Sequence, residues 1–529
     1  MNVLLIYPRS PQTLYSYDRV LSILGKEVLD PPLSLLTVAS VLPKSWPLKL
    51  VDSPVGPISE EDWEGCDVVM VSGMAIHWRG MRQAVHDARR RGKTVVVGGP
   101  GVFYFPDHAL AEGADIVVRG EVELAVPRLV EALSNRESGL IIESSGRPDL
   151  KDSPSPRYDL VNTRRYLSMP VEFSRGCPFN CEFCNTSLIL GREIRTKNAQ
   201  QVLRDLEIIY NIGWRRQVLF VDDNFIGKRQ AAKDLLRSLI PWMDEHGHPF
   251  DFGCSASVNL AEDDELMEML VRAGFYRVFL GIETPDRESL KLAKKYHNAR
   301  ADLDEVCKKI NRAGLQIQMG AILGFDHERP GAGQRIINFA QRNQIPEVGA
   351  AVLQAGPGTA LWKRLEAEGR IEWDGFENTE IGSSHGMINF VPTRPKEQIL
   401  EELVQVYEVL YDPEGYLDRT FRHFDAMDQP PERRSYNIPY FWELRGTAVS
   451  LFRQGVVYAS RFKFWRLLFT AMKKFPDRRF RHFLSALLLI EHYLDYRRIV
   501  KEKMQEHAIR RGSSDDSAEK TSGQMTTVG

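Results

Sequence analysis

An α/β fold in three parts is what this sequence predicts: a doubly wound parallel sheet, a partial (β/α)6 barrel, and an α-helical C-terminal region. Three observations carry that expectation. Short β-branched runs alternate with helix-compatible stretches from residue 1 to about 145, the alternation resumes after a Pro/Ser-rich interruption, and strand signals vanish beyond about residue 395. At roughly 150 residues per domain, 529 residues accommodate three or four such units.

The first part, 1–145, has strand-like runs at 3–7, 48–52, 68–72, 94–97 and 116–118. Ligands of such sheets sit at the carboxyl ends of the strands. Here those ends carry turn formers: Ser72-Gly73, Gly98-Gly99-Pro100 and Gly120-Glu121. A linker is expected over 146–165, around the Pro/Ser-rich stretch 152–157. The barrel, 166–390, takes its strands from 171–174, 218–221, 252–256, 278–282, 317–323 and 350–353, with helices such as 199–210 and 263–273 between them. Chemistry in a β/α barrel belongs at the strand C-termini. A helical domain is expected over 391–512, and the Ser/Thr/Gly-rich tail 513–529 reads as disordered.

Composition narrows the class. With 43% apolar and 26% charged residues the chain is globular rather than fibrous or disordered. The 69 basic and 71 acidic residues nearly cancel, so nothing global argues for a nucleic-acid partner. Local charge is another matter: 416–512 holds 20 Lys/Arg against 10 Asp/Glu, interleaved with Phe462, Phe464, Trp465, Phe469, Phe475, Phe480 and Phe483. Such a region forms either a basic cap over the barrel or a face for anionic lipid headgroups. The run 484–490 lacks clean polar alternation and is expected to pack inward. No apolar run approaches the roughly 20 residues of a bilayer span, and the first residues lack the pattern of a signal peptide. Six cysteines are too few for a disulfide framework, which points to a cytoplasmic setting.

Three of those cysteines stand together. Arg175-Gly-Cys177-Pro-Phe-Asn-Cys181-Glu-Phe-Cys184 spaces its thiols C-x3-C-x2-C directly after a strand. Three thiolates on one loop hold three irons of a cubane cluster and leave the fourth iron open for chemistry. Structural zinc, the alternative, needs a fourth donor; the next cysteine is Cys254 and the nearest histidine is His246. Cys66, Cys254 and Cys307 read as small buried hydrophobes.

The spacing, with Phe183 inside it and a β/α repeat behind it, resembles the radical S-adenosylmethionine (SAM) superfamily. That resemblance implies a 4Fe-4S cluster on Cys177, Cys181 and Cys184, with SAM chelated to its open iron. It implies further SAM contacts from Asp222, Asp223 and Asn224, from Glu283 to a ribose hydroxyl, and from Gly320, Ile322 and Gly324 beside the adenine. The first part resembles the cobalamin-binding domain that precedes the barrel in one large class of this superfamily, a Rossmann-like domain. Pro32, Leu33, Ser72, Gly73, Met74, Gly98, Gly99, Pro100, Gly120 and Glu121 then fall where that class cradles the corrin and its nucleotide tail. No D-x-H-x-x-G sequence is present, so cobalt is expected to lack a histidine from that motif, and His77 reads as a polar loop residue. The helical region is similar to the C-terminal extension of hopanoid methylase relatives. Asn185 and Cys254-Ser255-Ala256-Ser257 depart from that subgroup, in which an acid and a Thr-Glu-Ala-Ser run are expected.

The function so implied is a cobalamin-dependent radical SAM methyltransferase, which methylates an unactivated carbon through a 5'-deoxyadenosyl radical and methylcobalamin. A cobalamin-dependent cyclase or rearrangement enzyme without methyl transfer is the alternative at this point. A non-catalytic sensor has no use for an open-iron cluster. No side chain is singled out as catalytic. The partners implied are a small-molecule, lipid or peptide substrate, an external one-electron reductant such as flavodoxin or ferredoxin, and peripheral membrane contact through the basic helices.

Overall fold

A computed structural model describes residues 1–372, 388–428, 440–475 and 477–522. Its first sheet has six parallel strands: β1 (Val3–Tyr7), β2 (Leu48–Asp52), β3 (Val68–Ser72), β4 (Thr94–Gly98), β5 (Ile116–Arg119) and β6 (Leu140–Glu143). They run in the order 2-1-3-4-5-6. β3, Val-Val-Met-Val-Ser, is buried along its whole length, as a strand covered on both faces must be. One face packs against Met81, Val85 and Ala88 of the helix Trp78–Arg90, the other against Leu35 and Ala39 of Leu33–Val41 and Leu129 of Val122–Ser134. The strand order reverses at β1, which opens a crevice at the carboxyl ends of β1 and β3. β6 goes beyond the five strands expected. It is four residues long at the sheet edge, with only Ile142 buried, so neither alternation nor an apolar run announces it.

The segment 146–165 contains only single turns, yet it is tied down. Tyr158 is buried and donates its hydroxyl to Pro170 O at 2.8 Å, while the Gln201 amide donates to Leu150 O and Ser153 O at 2.9 and 3.1 Å.

The second sheet is an open barrel of six parallel strands: β7 (Met169–Val171), β10 (Arg216–Phe220), β11 (Phe250–Ala256), β12 (Phe275–Glu283), β13 (Gln316–Leu323) and β14 (Glu347–Val352), in that spatial order. A separate antiparallel pair, β8 (Ser174–Arg175) and β9 (Arg195–Thr196), stands beside it. The strand expected at 171–174 is thus split. The cause is Asp222, whose carboxylate accepts the N–H groups of Phe173 (3.3 Å) and Ser174 and takes them out of the ladder.

An open barrel leaves the backbone of β14 unpaired on one side, a hazard that proteins cover. Here the helix Lys396–Leu410 and the residue after it supply the cover. The Tyr407 hydroxyl bonds both N and O of Ala350, at 3.1 and 2.6 Å, and the Tyr411 hydroxyl does the same at Val348, at 2.8 and 2.7 Å. Helices Pro413–Asp425, Phe441–Phe452, Arg461–Lys474 and Asp477–Ser522 complete the third part. Ala486, Leu487, Leu488 and Ile490 of the last helix are buried, so that run does pack inward. This helix also clasps the beginning of the chain: His492 Nε2 donates to Leu14 O at 2.7 Å, and Tyr17 donates to Glu347 Oε1 at 2.6 Å beneath it. Of the tail expected to be disordered, residues 513–522 continue the last helix, and 523–529 lie outside the described residues. No described helix is long and apolar enough to cross a membrane.

Candidate functional site

Cys177, Cys181 and Cys184 lie half-buried and free on the loop between β8 and the short helix Thr186–Ile189. The loop enters through Gly176 at φ +102°, where a Cβ would stand 2.6 Å from Glu193 O, so no other residue fits. Its backbone is pinned from two sides, Cys177 N–H to Gly191 O at 3.1 Å and Glu182 N–H to Ala293 O at 3.0 Å. Burial pushes the Cys181 thiol up to about 12 and raises that of Cys177, so both keep their protons unless a metal displaces them. Among the described residues no three His, Cys, Asp or Glu side chains converge on one metal ion. A cubane cluster takes three cysteine thiolates, each on its own iron, and leaves the fourth iron without a protein ligand. The donor set therefore fits the cluster expected from the spacing.

Around this loop the strand ends assemble a mouth. Phe183 packs edge-on against Phe325 just beyond β13, with centroids 5.9 Å apart. Asp223 is exposed and accepts from Thr186 Oγ1 at 3.0 Å, and desolvation by the protein around it raises its carboxyl. Asp222 does not share that setting. It is buried, its carboxyl is pushed up to about 7, and it faces the backbone of Phe173 and Ser174. Asn224 accepts from Ser257 N at 3.2 Å and so ties the β10 end to the β11 end. These two brace the mouth, and only Asp223 of the three opens onto it.

Glu283 ends β12 at φ +64°, just past a register shift at Gly281, a conformation that a non-glycine residue holds only under tertiary constraint. The constraint is Lys295, whose ammonium bonds Glu283 Oε1 and whose charge also bears on Cys181 and Cys184. Lys295 was not singled out from the sequence. Next to it His297 stacks on Phe179 at 3.7 Å, and burial pushes it down to about 3, which keeps it neutral. On β13 the Phe279 ring lies against Gly320, Ile322 is half-buried, and Gly324 N–H donates to Glu328 at 2.9 Å. Tyr15, also missed, reaches in from the first domain to sit 6.2 Å from the Phe279 ring. It is 43% exposed, yet surrounding protein, Glu283 and Glu347 hold its phenol far above the usual range.

In the first domain the loops after β3 and β4 press together. Gly101 N–H donates to Gly73 O at 2.8 Å, and Gly99 takes φ +86° where a Cβ would stand 2.5 Å from Ser72 Oγ. Met74 is left exposed beside them, next to Gly98 and Pro100 at the end of β4. Pro32 and Leu33 open the helix Leu33–Val41 at the neighbouring strand end, and Gly120 follows β5. These residues line one edge of the sheet at the crevice. His77 is buried, accepts from Met74 N at 3.2 Å, packs on Tyr7 at 4.7 Å and is pushed down to about 4 by burial. A ring so occupied belongs to the loop's own structure. Cob(II)alamin bound here is expected to show no nitrogen superhyperfine splitting from protein in electron paramagnetic resonance, with an unchanged spectrum in His77→Ala.

Glu121 has another place than the corrin contact expected for it. Its buried carboxylate pairs with Arg175 (2.7 Å) and Arg195 (2.7 Å), and Arg175 also pairs with Glu123 (2.8 Å) and Glu172 (2.9 Å). Arg175 is two residues from Cys177, so this network bolts the first domain to the strand that carries the cysteine loop. Cys66, Cys254 and Cys307 are buried with raised thiols, as inert cysteines are.

Three families match the chain: the B12 binding domain over residues 31–130, the Radical SAM superfamily over 171–340, and a domain of unknown function (DUF4070) over 359–506. An uncharacterized methyltransferase of Synechocystis sp. is 44% identical over 96% of this chain and 94% of its own. The hopanoid C-2 methylase of Rhodopseudomonas palustris is 32% identical over 79% of this chain and 78% of its own. Among solved structures, the methyltransferase TsrM from Kitasatospora setae, with cobalamin and a [4Fe-4S] cluster bound, superposes with a TM-score of 0.59. It covers 96% of this chain and all of its own at 14% identity. The cobalamin-dependent SAM radical enzyme OxsB, with aqua-cobalamin and SAM bound, gives 0.61 over 96% of this chain and 80% of its own, at 14% identity. At that identity the likeness is one of fold.

Proposed function

This chain belongs to the cobalamin-binding radical SAM enzymes related to the hopanoid methylases, and from that premise we propose how its own residues serve a C-methyltransferase. Its cofactors are a 4Fe-4S cluster, SAM and cobalamin, which when bound supply respectively an electron, a 5'-deoxyadenosyl radical and a carrier for the methyl group. Radical enzymes of this kind draw on an external one-electron reductant and act on small molecules. What the protein supplies is placement and the exclusion of water.

Cys177, Cys181 and Cys184 hold the cluster, and the loops after β3 and β4 receive the corrin. Asp223 accepts hydrogen bonds from the methionine ammonium of SAM, and Glu283, fixed by Lys295, accepts from its ribose. The β13 strand, with Gly320 under the Phe279 ring and Ile322 and Gly324 beyond it, lies beside the adenine. The observation that supports this reading is the Glu121–Arg175–Glu172 network, which joins the first domain to the strand that carries the cysteine loop. The test is turnover with methyl-deuterated SAM. Label in the product supports methyl transfer, and an altered but unlabelled product refutes it.

We further propose that the third part rests on an anionic lipid surface. Support comes from the helices Phe441–Phe452 and Arg461–Lys474, where Phe441 (82%), Phe462 (77%), Phe452, Phe469 and Met472 stand out into solvent among Arg445, Arg466, Lys473 and Lys474. The protein is expected to co-sediment with vesicles containing phosphatidylserine and not with phosphatidylcholine alone, and salt is expected to weaken that binding. Absence from both pellets refutes the proposal.

A further inference from the structure

At the amino end of the barrel strands, away from the cysteine loop, lies a cavity of about 450 Å³. Its floor is the first residues of β10, β11, β12 and β13. The seven residues of β11, at roughly 3.3 Å each, set the two ends about 20 Å apart. The volume lies within the range of small-molecule sites, and no step of methyl transfer uses it.

The walls are apolar: Leu24 and Leu29 from the first domain, Trp442 and Leu488 from the helical region. The floor is polar. Asp251 is gripped by two guanidiniums, Arg478 at 2.9 Å and Arg481 at 2.7 Å, while Arg216 is matched by Glu443 at 2.7 Å and Arg277 by Glu347 at 3.5 Å. The carboxyl of Asp30, beside Leu29, also acts on Arg277, so charges balance over the floor as a whole and the surplus is local: two guanidiniums share the one carboxylate of Asp251. His482 adds no charge, since burial pushes it down to about 4. Two buried nitrogens on this lining also lack a hydrogen-bond partner, Gln217 Nε2 and His482 Nε2, the latter 3.6 Å from Asp251 and beyond hydrogen-bond reach. A buried amide N–H left unmet is costly, so the site favours a ligand with an acceptor group. Leu444 lines the cavity and is also 56% exposed, which puts the mouth beside the apolar outer face of the helix Phe441–Phe452.

We propose that this cavity binds a fatty acid, with its carboxylate at Arg481 and the Gln217 amide and its chain along Leu24, Trp442 and Leu488. The second guanidinium on Asp251 and the unmet Gln217 amide select the acid head, and the walls select the chain. The inference does not depend on methyl transfer, because its test uses neither SAM nor turnover.

Holoenzyme is titrated by calorimetry with dodecanoate below its micellar concentration, beside methyl dodecanoate and hexanoate. Saturable binding of one dodecanoate per chain is expected, at least tenfold tighter than the ester or the short acid. Thr447→Phe and Ser485→Phe place a ring into the cavity from positions not closed in the core, and each is expected to weaken dodecanoate at least tenfold while cluster absorbance and cobalamin content stay as in the wild type. Non-saturable binding overturns the site. So does binding that both phenylalanine variants leave unchanged, and equal affinity for acid and ester overturns the role of the carboxylate.

Discussion

The variant with Cys177, Cys181 and Cys184 all replaced by alanine is expected to lose the cluster absorbance, about four irons per chain and all SAM cleavage. No other set of thiols can substitute. The remaining three cysteines, Cys66, Cys254 and Cys307, are buried at separate places, with thiols raised above their ordinary range. Cobalamin content is expected to stay at the wild-type level, because the loops after β3 and β4 share no residue with the cysteine loop. Iron at the wild-type level in the triple variant would refute the assignment.

Arg175→Ala carries the largest expected cost in stability. The substitution strips the shared cation from Glu123 and Glu172 and leaves Glu121 with Arg195 alone, all at sites largely closed to solvent. Removing one partner of a buried ion pair typically costs about 3–5 kcal/mol, because the remaining charges keep their desolvation penalty. Urea unfolding is the measurement, and iron content is expected to fall with stability because Cys177 follows two residues later. Arg175→Lys retains the charge but loses the planar fork that engages three carboxylates, so it recovers only part of the loss. A change below about 1 kcal/mol for the alanine variant would mean that the network behaves as a solvated surface pair.

Ten of the twelve strands of the two main sheets were legible as short, largely apolar runs, since buried parallel strands are written as continuous apolar segments, and the strand expected at 171–174 meets β7 only at Val171. β6 was not, being short and half-exposed. The split of the first barrel strand was invisible for a different reason: Asp222, 48 and 49 residues away, removes its N–H groups from the ladder. Site residues divide in the same way. The cysteines announce themselves by local spacing, whereas Lys295 sits in a run of ordinary helix formers and gains meaning only from Glu283, 12 residues earlier, folded back onto it. Glu121 was legible as the acid after a strand-end glycine. Its actual partners, Arg175 and Arg195, lie 54 and 74 residues ahead and on another domain, where no local pattern reports them.

The clasp between the beginning of the chain and the last helix has a consequence for how the protein is made. Leu14 and His492 are 478 positions apart, so the segment carrying Leu14 and Tyr17 leaves the ribosome long before its partner exists. At roughly 5–20 residues per second, the interval is about half a minute to a minute and a half. Throughout it Val20, Leu21, Ile23 and Leu24, which finally pack with Leu488, have no finished surface to bury against. The first sheet can close early, but the helix Asp18–Leu24 must wait until the segment around Leu488 and His492 has been made, and until then its apolar side chains are open to a chaperone.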